Sequence, residues 1–412
     1  MIDQGVGLYV SFFLLLLLVV FNVIYCFKKF DVVFVFVNVH LSSLMLYFTY
    51  QSGLLSPMHW WELLLLLSYL LGFIVGYALH YLASPKTTVL LGVPRDGRKL
   101  FRLNFVGFIF FVVAFLYELA KAGWVPPVLA ADKLTAYYNF PQTFVHYLVV
   151  CGIAVSAVFV FVAERYSYRR LLCYSFVAVI AIAQMATLAR AVLMTQLFMV
   201  AFIIVRERNI LFRWKKLIFG AVLGLAIITI FGTMRTSSDP NALLEIGLLD
   251  GWPNWSVPFA WIYLYFTTPL ENVHGVLNYY DQGFGYGLHT FLKPFFNLFQ
   301  AKDYYASLFE LQPPSAGGFN TYGYYLEVFL DYGYFGFVYT LVLGFASRGI
   351  VMSRSLTLYL FSSYWVYAIF TSSINMYFNE FFTLVYLVYF ALIVFFSRVV
   401  LFRAPRGSDG VV

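Results

Sequence analysis

Residues 62–83, ELLLLLSYLLGFIVGYALHYLA, decide the fold class of this chain. At 1.5 Å per residue a helix of this length spans roughly 33 Å, which is enough to cross a hydrocarbon core of about 30 Å. The whole chain of 412 residues is 62% hydrophobic and only 11% charged, too little polar surface for a soluble protein of this size. The sequence therefore predicts an integral membrane protein. Within the same run, Gly72 and Gly76 have the spacing that permits close helix contact in lipid, as do Gly220 and Gly224.

Apolar runs of this kind recur along the chain and predict an all-α, polytopic membrane protein with about eleven transmembrane helices. The predicted spans are 6–27, 31–52, 62–83, 103–120, 142–163, 171–189, 191–205, 217–233, 335–347, 355–373 and 381–397. They divide the chain into residues 1–233 with spans one to eight, a large periplasmic loop at 234–334, and residues 335–412 with spans nine to eleven and a cytoplasmic tail.

The distribution of basic residues predicts the orientation of these spans. Short loops rich in Lys and Arg stay on the cytoplasmic side. With the amino terminus outside, the inner segments hold 20 of the 26 Lys and Arg residues. We therefore expect a periplasmic amino terminus and a cytoplasmic carboxyl terminus. The net charge of +7 follows from these loops and their contact with anionic membrane lipids, so it does not indicate nucleic-acid binding.

The loop at 234–334 is the one long interruption of the apolar pattern, and we expect function there. It is rich in Tyr and Phe and contains Trp252, Trp255 and Trp261. Such amphipathic rings favour the headgroup layer, so the sequence predicts short interfacial helices, with re-entry of the middle part into the bilayer as the alternative. A shorter outer loop at 121–141 has a similar composition, and we expect the two loops together to cover the outer side of a cavity.

Two arginines lie at the outer membrane level, where the topology rule disfavours them. Arg190 falls between two apolar runs in ATLARAVLM, and Arg235 follows a run in FGTMRTSSD. Guanidinium groups keep their charge and offer planar forks of donors, which suits a pyrophosphate. The alternatives are that Arg190 reaches for headgroups from a hairpin and that Arg235 pairs with Asp239.

The stretch PLENVHG at 269–275, which we expect to lie between these arginines in space, supplies a candidate general base. Glu271 and His274 are three positions apart, so they share a helix face, and a carboxylate beside an imidazole raises its basicity and fixes its tautomer. This pair would serve as a base for a sugar hydroxyl, or both residues simply face water. His289 and Lys293 in GLHTFLKPF are a rival source of the base or of the phosphate contact. Of the two, we expect Lys293 to contact the pyrophosphate and His289 to contact the glycan.

The stretch NTYGYYLEVFLDYGYFG at 320–336 predicts a carbohydrate-binding surface. Glu327 and Asp331 are four residues apart on a helical pattern with no Lys or Arg in the run. Carboxylates accept hydrogen bonds from sugar hydroxyls, while rings such as Tyr322 and Tyr325 cover the apolar sugar face. The alternative is structural: Asp331 caps or anchors a helix, or pairs with an Arg of another loop.

Several motifs are absent from the sequence. It contains no DxD for a metal-bound nucleotide sugar, no GxxxxGK[ST] phosphate loop and no HExxH zinc motif. We therefore expect chemistry without a metal, a nucleotide or another cofactor.

With these features together, the chain resembles the bacterial oligosaccharide repeat-unit polymerases, the O-antigen polymerases of the Wzy type. The resemblance rests on the many spans, ATLARAVLM, GTMRTS, YFTTPLENVHG and, above all, NTYGYYLEVFLDYGYFG before a span. It covers about residues 180–340, whereas the amino-terminal third matches only in hydropathy.

The resemblance implies a metal-independent glycosyltransferase of the inner membrane with a GT-C-like fold. Its donor would be a glycan on undecaprenyl pyrophosphate, transferred on the periplasmic face to another lipid-linked repeat unit. Arg190 and Arg235 would hold the pyrophosphate, and a chain-length regulator is an implied partner. An O-antigen ligase that transfers glycan to lipid A core, and a flippase or transporter of the same lipid-linked sugar, are the alternatives.

Overall fold

The computed structural model describes residues 2–25, 31–83, 93–94, 96–140, 145–208, 229–230, 242–279, 284–298, 321, 323–377 and 380–398. Within these ranges every regular element is helical and there is no β-strand. The predicted all-α class is therefore confirmed.

Fifteen α-helices lie within the described ranges. In chain order they are α1 Gln4–Tyr25, α2 Val32–Tyr47, α3 Trp60–Ala83, α4 Gly97–Lys121, α5 Lys133–Asn139, α6 His146–Tyr166, α7 Arg170–Ala186, α8 Arg190–Glu207, α9 Ala242–Ile246, α10 Val257–Tyr279, α11 Lys293–Leu298, α12 Gly323–Tyr332, α13 Gly336–Val351, α14 Leu356–Phe370 and α15 Phe381–Arg398. A π-helical turn at Leu288–Leu292 precedes α11, and a 3₁₀ turn at Gly333–Phe335 joins α12 to α13.

Six helical stretches in the described part are long and apolar enough to cross a membrane. They are Gln4–Val23, Trp60–Ala83, Gly97–Lys121, His146–Tyr166, Gly323–Val351 and Phe381–Arg398. Shorter apolar helices are Val32–Tyr47, Arg170–Ala186 and Leu356–Phe370. These helices support a helical membrane protein, and the count of eleven spans stays a prediction. Most of the predicted span 217–233 lies outside the described residues.

Aspartate side chains fix where several of these helices begin. Asp31 accepts a hydrogen bond from the Val32 amide at 2.7 Å, and Asp96 accepts one from the Arg98 amide at 2.8 Å. The first amides of a helix have no partner inside the helix, so an aspartate at this point satisfies them. The apolar runs therefore become helices with defined starts.

Small residues let α3 and α13 lie against each other along much of their length. A Cβ atom on Gly76 would lie 1.8 Å from the Leu341 carbonyl oxygen, and one on Gly344 would lie 2.1 Å from the Phe73 carbonyl oxygen. Only glycine permits so close an approach of two backbones. The predicted close contact at Gly72 and Gly76 is confirmed, while Gly220 and Gly224 lie outside the described residues.

The helix ends sort into two groups, as the predicted topology requires. At one end Glu164 binds Arg170 and Arg208, each with a closest nitrogen–oxygen distance of 2.9 Å or less, which joins the ends of α6 and α8 to the start of α7. At the other end the Tyr263 hydroxyl accepts a hydrogen bond from the Gln51 amide at 2.9 Å, and Ser52 donates to the Gly247 carbonyl at 2.5 Å. The first group corresponds to the predicted cytoplasmic loops and the second to the predicted outer loops. Which end faces the cytoplasm stays a prediction.

The described part of the predicted loop 234–334 packs closely onto the other helices. Helix α10 contacts α2 and α12, and its side chains Ala260, Leu264, Leu270 and Val273 are buried. Helix α12 is buried along most of its length. This segment therefore contributes to the core, and α10 lies beside the connection between α2 and α3, where the polar residues of the next section meet.

Candidate functional site

Glu62 is a buried carboxylate in the first turn of α3, with 0% of its surface exposed. Its Oε2 accepts a hydrogen bond from the His59 amide at 2.7 Å, which satisfies a free amide at the start of the helix. The same oxygen lies 2.9 Å from Nδ1 of His274, and Oε1 has no hydrogen-bond partner within the described chain. Glu62 therefore joins α3 to α10 through a carboxylate–imidazole pair.

His274 lies on α10 with 8% of its surface exposed. Donation of the Nδ1 proton to Glu62 leaves Nε2 as the acceptor in the neutral ring. The side-chain amide nitrogen of the exposed Asn278 donates to the His274 carbonyl oxygen at 3.0 Å and lies 3.2 Å from Nδ1 and 3.3 Å from Nε2 of the ring. The geometry is that of an imidazole held in one tautomer and ready to accept a proton.

The electrostatic surroundings increase the basicity of His274. Burial alone lowers its pKa, but the hydrogen bond to Glu62 and the charges of Glu62 and Glu271 outweigh burial and raise the pKa above its ordinary value. A histidine with a raised pKa is a stronger base than an ordinary histidine.

Glu271 lies beside this pair but has different hydrogen-bond partners. Its Oε2 accepts hydrogen bonds from the Tyr47 hydroxyl and the Ser56 amide, both at 2.8 Å. The prediction that Glu271 orients His274 is therefore wrong about the partner, because Glu62 makes that hydrogen bond. The three-residue spacing places both side chains on one helix face, but Tyr47 and Ser56 bind the Glu271 carboxylate, which acts on His274 through its charge.

Sequence reasoning missed Glu62, Tyr47 and Ser56. The signal for Glu62 was available: an acidic side chain at the outer boundary of an apolar span is a functional candidate by default. Glu62 and His274 are 212 residues apart in the sequence, so no local spacing indicates that they form a pair.

A second histidine–glutamate pair lies elsewhere in the bundle. Glu118, buried in the last turn of α4, lies 3.1 Å from Nδ1 of His146 at the start of α6. This histidine–glutamate pair joins α4 to α6, and it provides a matched control for the chemistry of His274 and Glu62.

The predicted arginine pair cannot be assembled from the described side chains. Arg190 begins α8, and the Tyr367 hydroxyl donates to the carbonyl of the next residue, Ala191, at 3.3 Å, which places this helix end beside the end of α14. That this end of α8 faces outward stays a prediction. Arg235 lies outside the described residues, so joint binding of a pyrophosphate stays a prediction.

Lys293 was predicted to contact the pyrophosphate, but two carboxylates bind its ammonium group. Its Nζ lies 2.7 Å from Glu327 and 3.1 Å from Glu380. Burial lowers the pKa of Lys293, and the two carboxylates outweigh burial and raise it well above its ordinary value. The Glu327 carboxylate, predicted to bind glycan, is thus paired with Lys293. The two ion pairs tie α11 to α12 and to the residue before α15.

Asp331 was predicted to bind carbohydrate and instead has the structural role that was its alternative. It is completely buried and accepts hydrogen bonds from the His289 amide at 3.1 Å, the Thr290 amide at 2.7 Å and the Thr290 hydroxyl at 2.7 Å. These contacts hold the π-helical turn Leu288–Leu292 against α12. Because Asp331 is buried and its carboxylate already accepts these hydrogen bonds, it is not accessible to a sugar.

The other predicted glycan contacts are not on an accessible surface either. Tyr325 is 1% exposed and His289 is 2% exposed. Burial lowers the pKa of His289 to about 4, Asp331 opposes this effect and Lys293 adds to it, so the ring is neutral at pH 7. Tyr322 lies outside the described residues. The prediction failed because periodicity assigns residues to one helix face without telling whether lipid, water or protein covers that face.

No protein-family model matches this chain, and no curated protein or solved structure matches it either. Among the described residues there is also no group of three or more His, Cys, Asp or Glu side chains that could hold a metal ion. The candidate site is therefore defined by its geometry alone: Glu62, Glu271 and His274 at the predicted outer end of the bundle.

Proposed function

We propose that this chain is a membrane glycosyltransferase that joins lipid-linked oligosaccharide repeat units, as its resemblance to the repeat-unit polymerases suggests. The observation that carries the proposal is the buried pair of His274 and Glu62, which lies where the predicted periplasmic face meets the bundle. Glycosyl transfer to a hydroxyl needs a base at this face, and it needs neither a nucleotide nor a metal when the donor is a lipid pyrophosphate.

In the proposed reaction His274 is the catalytic base. Its Nε2 takes the proton of an acceptor sugar hydroxyl while the hydroxyl oxygen forms a bond to the anomeric carbon of the donor glycan. The bond from that carbon to the pyrophosphate oxygen breaks, and undecaprenyl pyrophosphate leaves with the electron pair. Glu62 holds the imidazole in the required tautomer and stabilises the positive charge that the ring acquires.

Arg190 and Arg235 are assigned to the leaving group. Negative charge grows on the pyrophosphate as the bond breaks, and fixed guanidinium groups stabilise that charge most in the transition state. The donor would bind with its undecaprenyl chain in lipid and its pyrophosphate near the start of α8. A GT-C-like arrangement of helices belongs to the same proposal.

The proposal is tested with purified full-length protein and synthetic undecaprenyl-pyrophosphate repeat units, with products separated on a gel. A ladder of products longer than one repeat, made without added metal or nucleotide, is expected for the wild type. Failure to form any glycosidic bond under these conditions would overturn the proposal. Transfer only to lipid A core would replace it by the ligase activity, and movement of intact lipid-linked units across vesicles without bond formation would replace it by transport.

A further inference from the structure

The centre of the bundle contains a group of buried polar atoms that the candidate site does not use. Six of the buried side-chain atoms that have no hydrogen-bond partner of good geometry in the described part of the chain belong to this group: His40 Nδ1, Ser43 Oγ, Thr321 Oγ1, Tyr324 OH, Tyr325 OH and Ser373 Oγ. These six residues are called the His40 cluster below. They come from α2, from the start of α12 with Thr321, two residues before this helix, and from the turn after α14.

Close backbone contacts bring these three segments together around His40. The His40 ring centroid lies 4.7 Å from that of Tyr324 and 4.9 Å from that of Tyr325. The Tyr324 amide donates to the Ser372 carbonyl at 2.8 Å. Gly323, with a φ of +63°, makes this approach possible, because a Cβ there would lie 2.7 Å from the Ser373 carbonyl oxygen. Ser43 follows His40 by three residues and shares its helix face.

The hydrogen bonds of Ser372 define the protonation of the His40 ring. The Ser372 hydroxyl donates its single proton to the Ile369 carbonyl at 2.7 Å, so it accepts from His40 Nε2, which lies 2.9 Å away. Nδ1 of the neutral ring is then a lone-pair acceptor. The Tyr324 and Tyr325 rings are in contact, with their centroids 4.4 Å apart, yet neither hydroxyl has a partner at good hydrogen-bond geometry. The cluster thus combines acceptors and donors and contains no charged side chain.

An unsatisfied buried polar group costs about 1–3 kcal/mol. Six such groups would cost as much as the whole stability of a typical domain, about 5–15 kcal/mol. A ligand that donates and accepts hydrogen bonds removes this cost, and a charged ligand is disfavoured because the cluster offers no opposite charge. Water has the required size and chemistry, and one buried water makes about three hydrogen bonds, so about two water molecules satisfy the six atoms.

We propose that the His40 cluster is a binding site for ordered water inside the helical bundle, next to the candidate site. His40, Ser43 and Tyr47 follow one face of α2, and the Tyr47 hydroxyl donates to Glu271 at 2.8 Å. The Asn272 side chain donates to the Thr321 carbonyl at 2.8 Å and so joins α10 to the cluster. Bound water at His40 extends the polar network of Glu271 by two helical turns, or roughly 10 Å, into the bundle.

Radiolytic footprinting tests this inference on the full-length wild-type protein in lipid nanodiscs. X-ray pulses generate hydroxyl radicals from bound water, and mass spectrometry measures ¹⁸O incorporation into individual side chains after equilibration in H₂¹⁸O. Tyr324 and Tyr325 should be labelled several-fold faster than Tyr364. Tyr364 is the matched control, since it is also buried but its hydroxyl donates to the Tyr377 carbonyl at 2.8 Å. Equal labelling of all three tyrosines would overturn the proposal.

Two serine variants sharpen the result. Ser43→Ala removes one partner of the bound water and should reduce labelling of Tyr324 and Tyr325. Ser363→Ala should leave their labelling unchanged, because the buried Ser363 hydroxyl already donates to the Leu360 carbonyl at 2.6 Å. An equal effect of both variants would count against the site. The measurement needs no substrate, so its outcome is independent of the proposed transferase reaction.

Discussion

Glu164 and Glu62 are both buried carboxylates, but their partners differ. The Glu164 side chain is 3% exposed and binds the guanidinium groups of Arg170 and Arg208 at the predicted cytoplasmic end. Glu62, at the opposite end, has His274 as its ionisable partner among the described residues. Two guanidinium groups keep their charge at any physiological pH, whereas an imidazole gains and loses a proton near neutrality.

This difference distinguishes a charged group that stabilises the fold from a charged group that can take part in a reaction. The Glu164 group is neutralised by fixed charges and ties three helix ends together, so it contributes to stability. The Glu62 group can change its protonation through His274 without separating any helix. The following predictions test this distinction, beginning with the largest expected effect.

His274→Gln should lower the rate of repeat-unit transfer by about 10²- to 10⁴-fold, because it removes the base while preserving a polar side chain. The variant should reach the membrane in normal amounts. The measurement is the initial rate in the gel assay with equal amounts of purified protein.

The control for this variant is His146→Gln, which alters the other histidine–glutamate pair. It should leave the rate within a few-fold of the wild type. If the two substitutions reduced the rate equally, His274 would have no special part in the reaction.

Arg190→Ala or Arg235→Ala should lower the rate by about 10²- to 10³-fold, since each removes a donor from the proposed leaving group. In cells the protein should remain in the membrane while long-chain polysaccharide is lost. Arg170→Ala is the matched control, because its guanidinium is bound to Glu164. Normal chain length in both outer arginine variants would contradict the assignment of the pyrophosphate site.

Gly76→Ala should destabilise the protein by about 1–3 kcal/mol, because the new methyl group would overlap the Leu341 carbonyl and separate α3 from α13. Helix α3 carries Glu62, so transfer activity should fall with stability. Thermal unfolding in nanodiscs measures the effect. Gly123→Ala is not a suitable control because its φ is +72°. Gly5→Ala is suitable, because a Cβ there would make only an ordinary van der Waals contact, 3.5 Å from Asp3 Oδ1, and its φ is not positive. An unchanged melting temperature for Gly76→Ala would show that the close contact is not needed.

Glu164→Gln should cost only about 1 kcal/mol, because its arginine partners are nearly half exposed and water replaces the lost charge contacts. The rate per folded molecule should not change. The assay is a melting curve combined with the initial transfer rate. A large loss of rate with unchanged stability would break the distinction between the two ends.

The sequence predicted the fold class better than it predicted the site. Length and apolarity suffice for a membrane helix, and the spacing of Gly72 and Gly76 suffices for close packing, because both are local properties. His274 was also identified, since an imidazole beside acidic residues in an outer segment is unusual in so apolar a chain.

The failures concern partners that are distant in the sequence. Glu62 binds His274 across 212 residues, and Lys293 binds Glu380, the residue before α15. Asp331 and Tyr325 share a pattern with sugar-binding surfaces, but tertiary packing buries them. Periodicity gives the face of a helix, and only the fold determines what covers that face.

The most direct test of the His274–Glu62 pair is the pH dependence of the transfer rate in the wild type, Glu62→Gln and the control Glu118→Gln. His274 accepts a proton only when neutral, so the wild-type rate should rise with pH through a pKa above the ordinary histidine value. Glu62→Gln removes the hydrogen-bonding carboxylate and its charge, so burial should shift that midpoint to lower pH, while Glu118→Gln should leave it in place. An identical midpoint in wild type and Glu62→Gln would contradict the pairing as the source of the catalytic base.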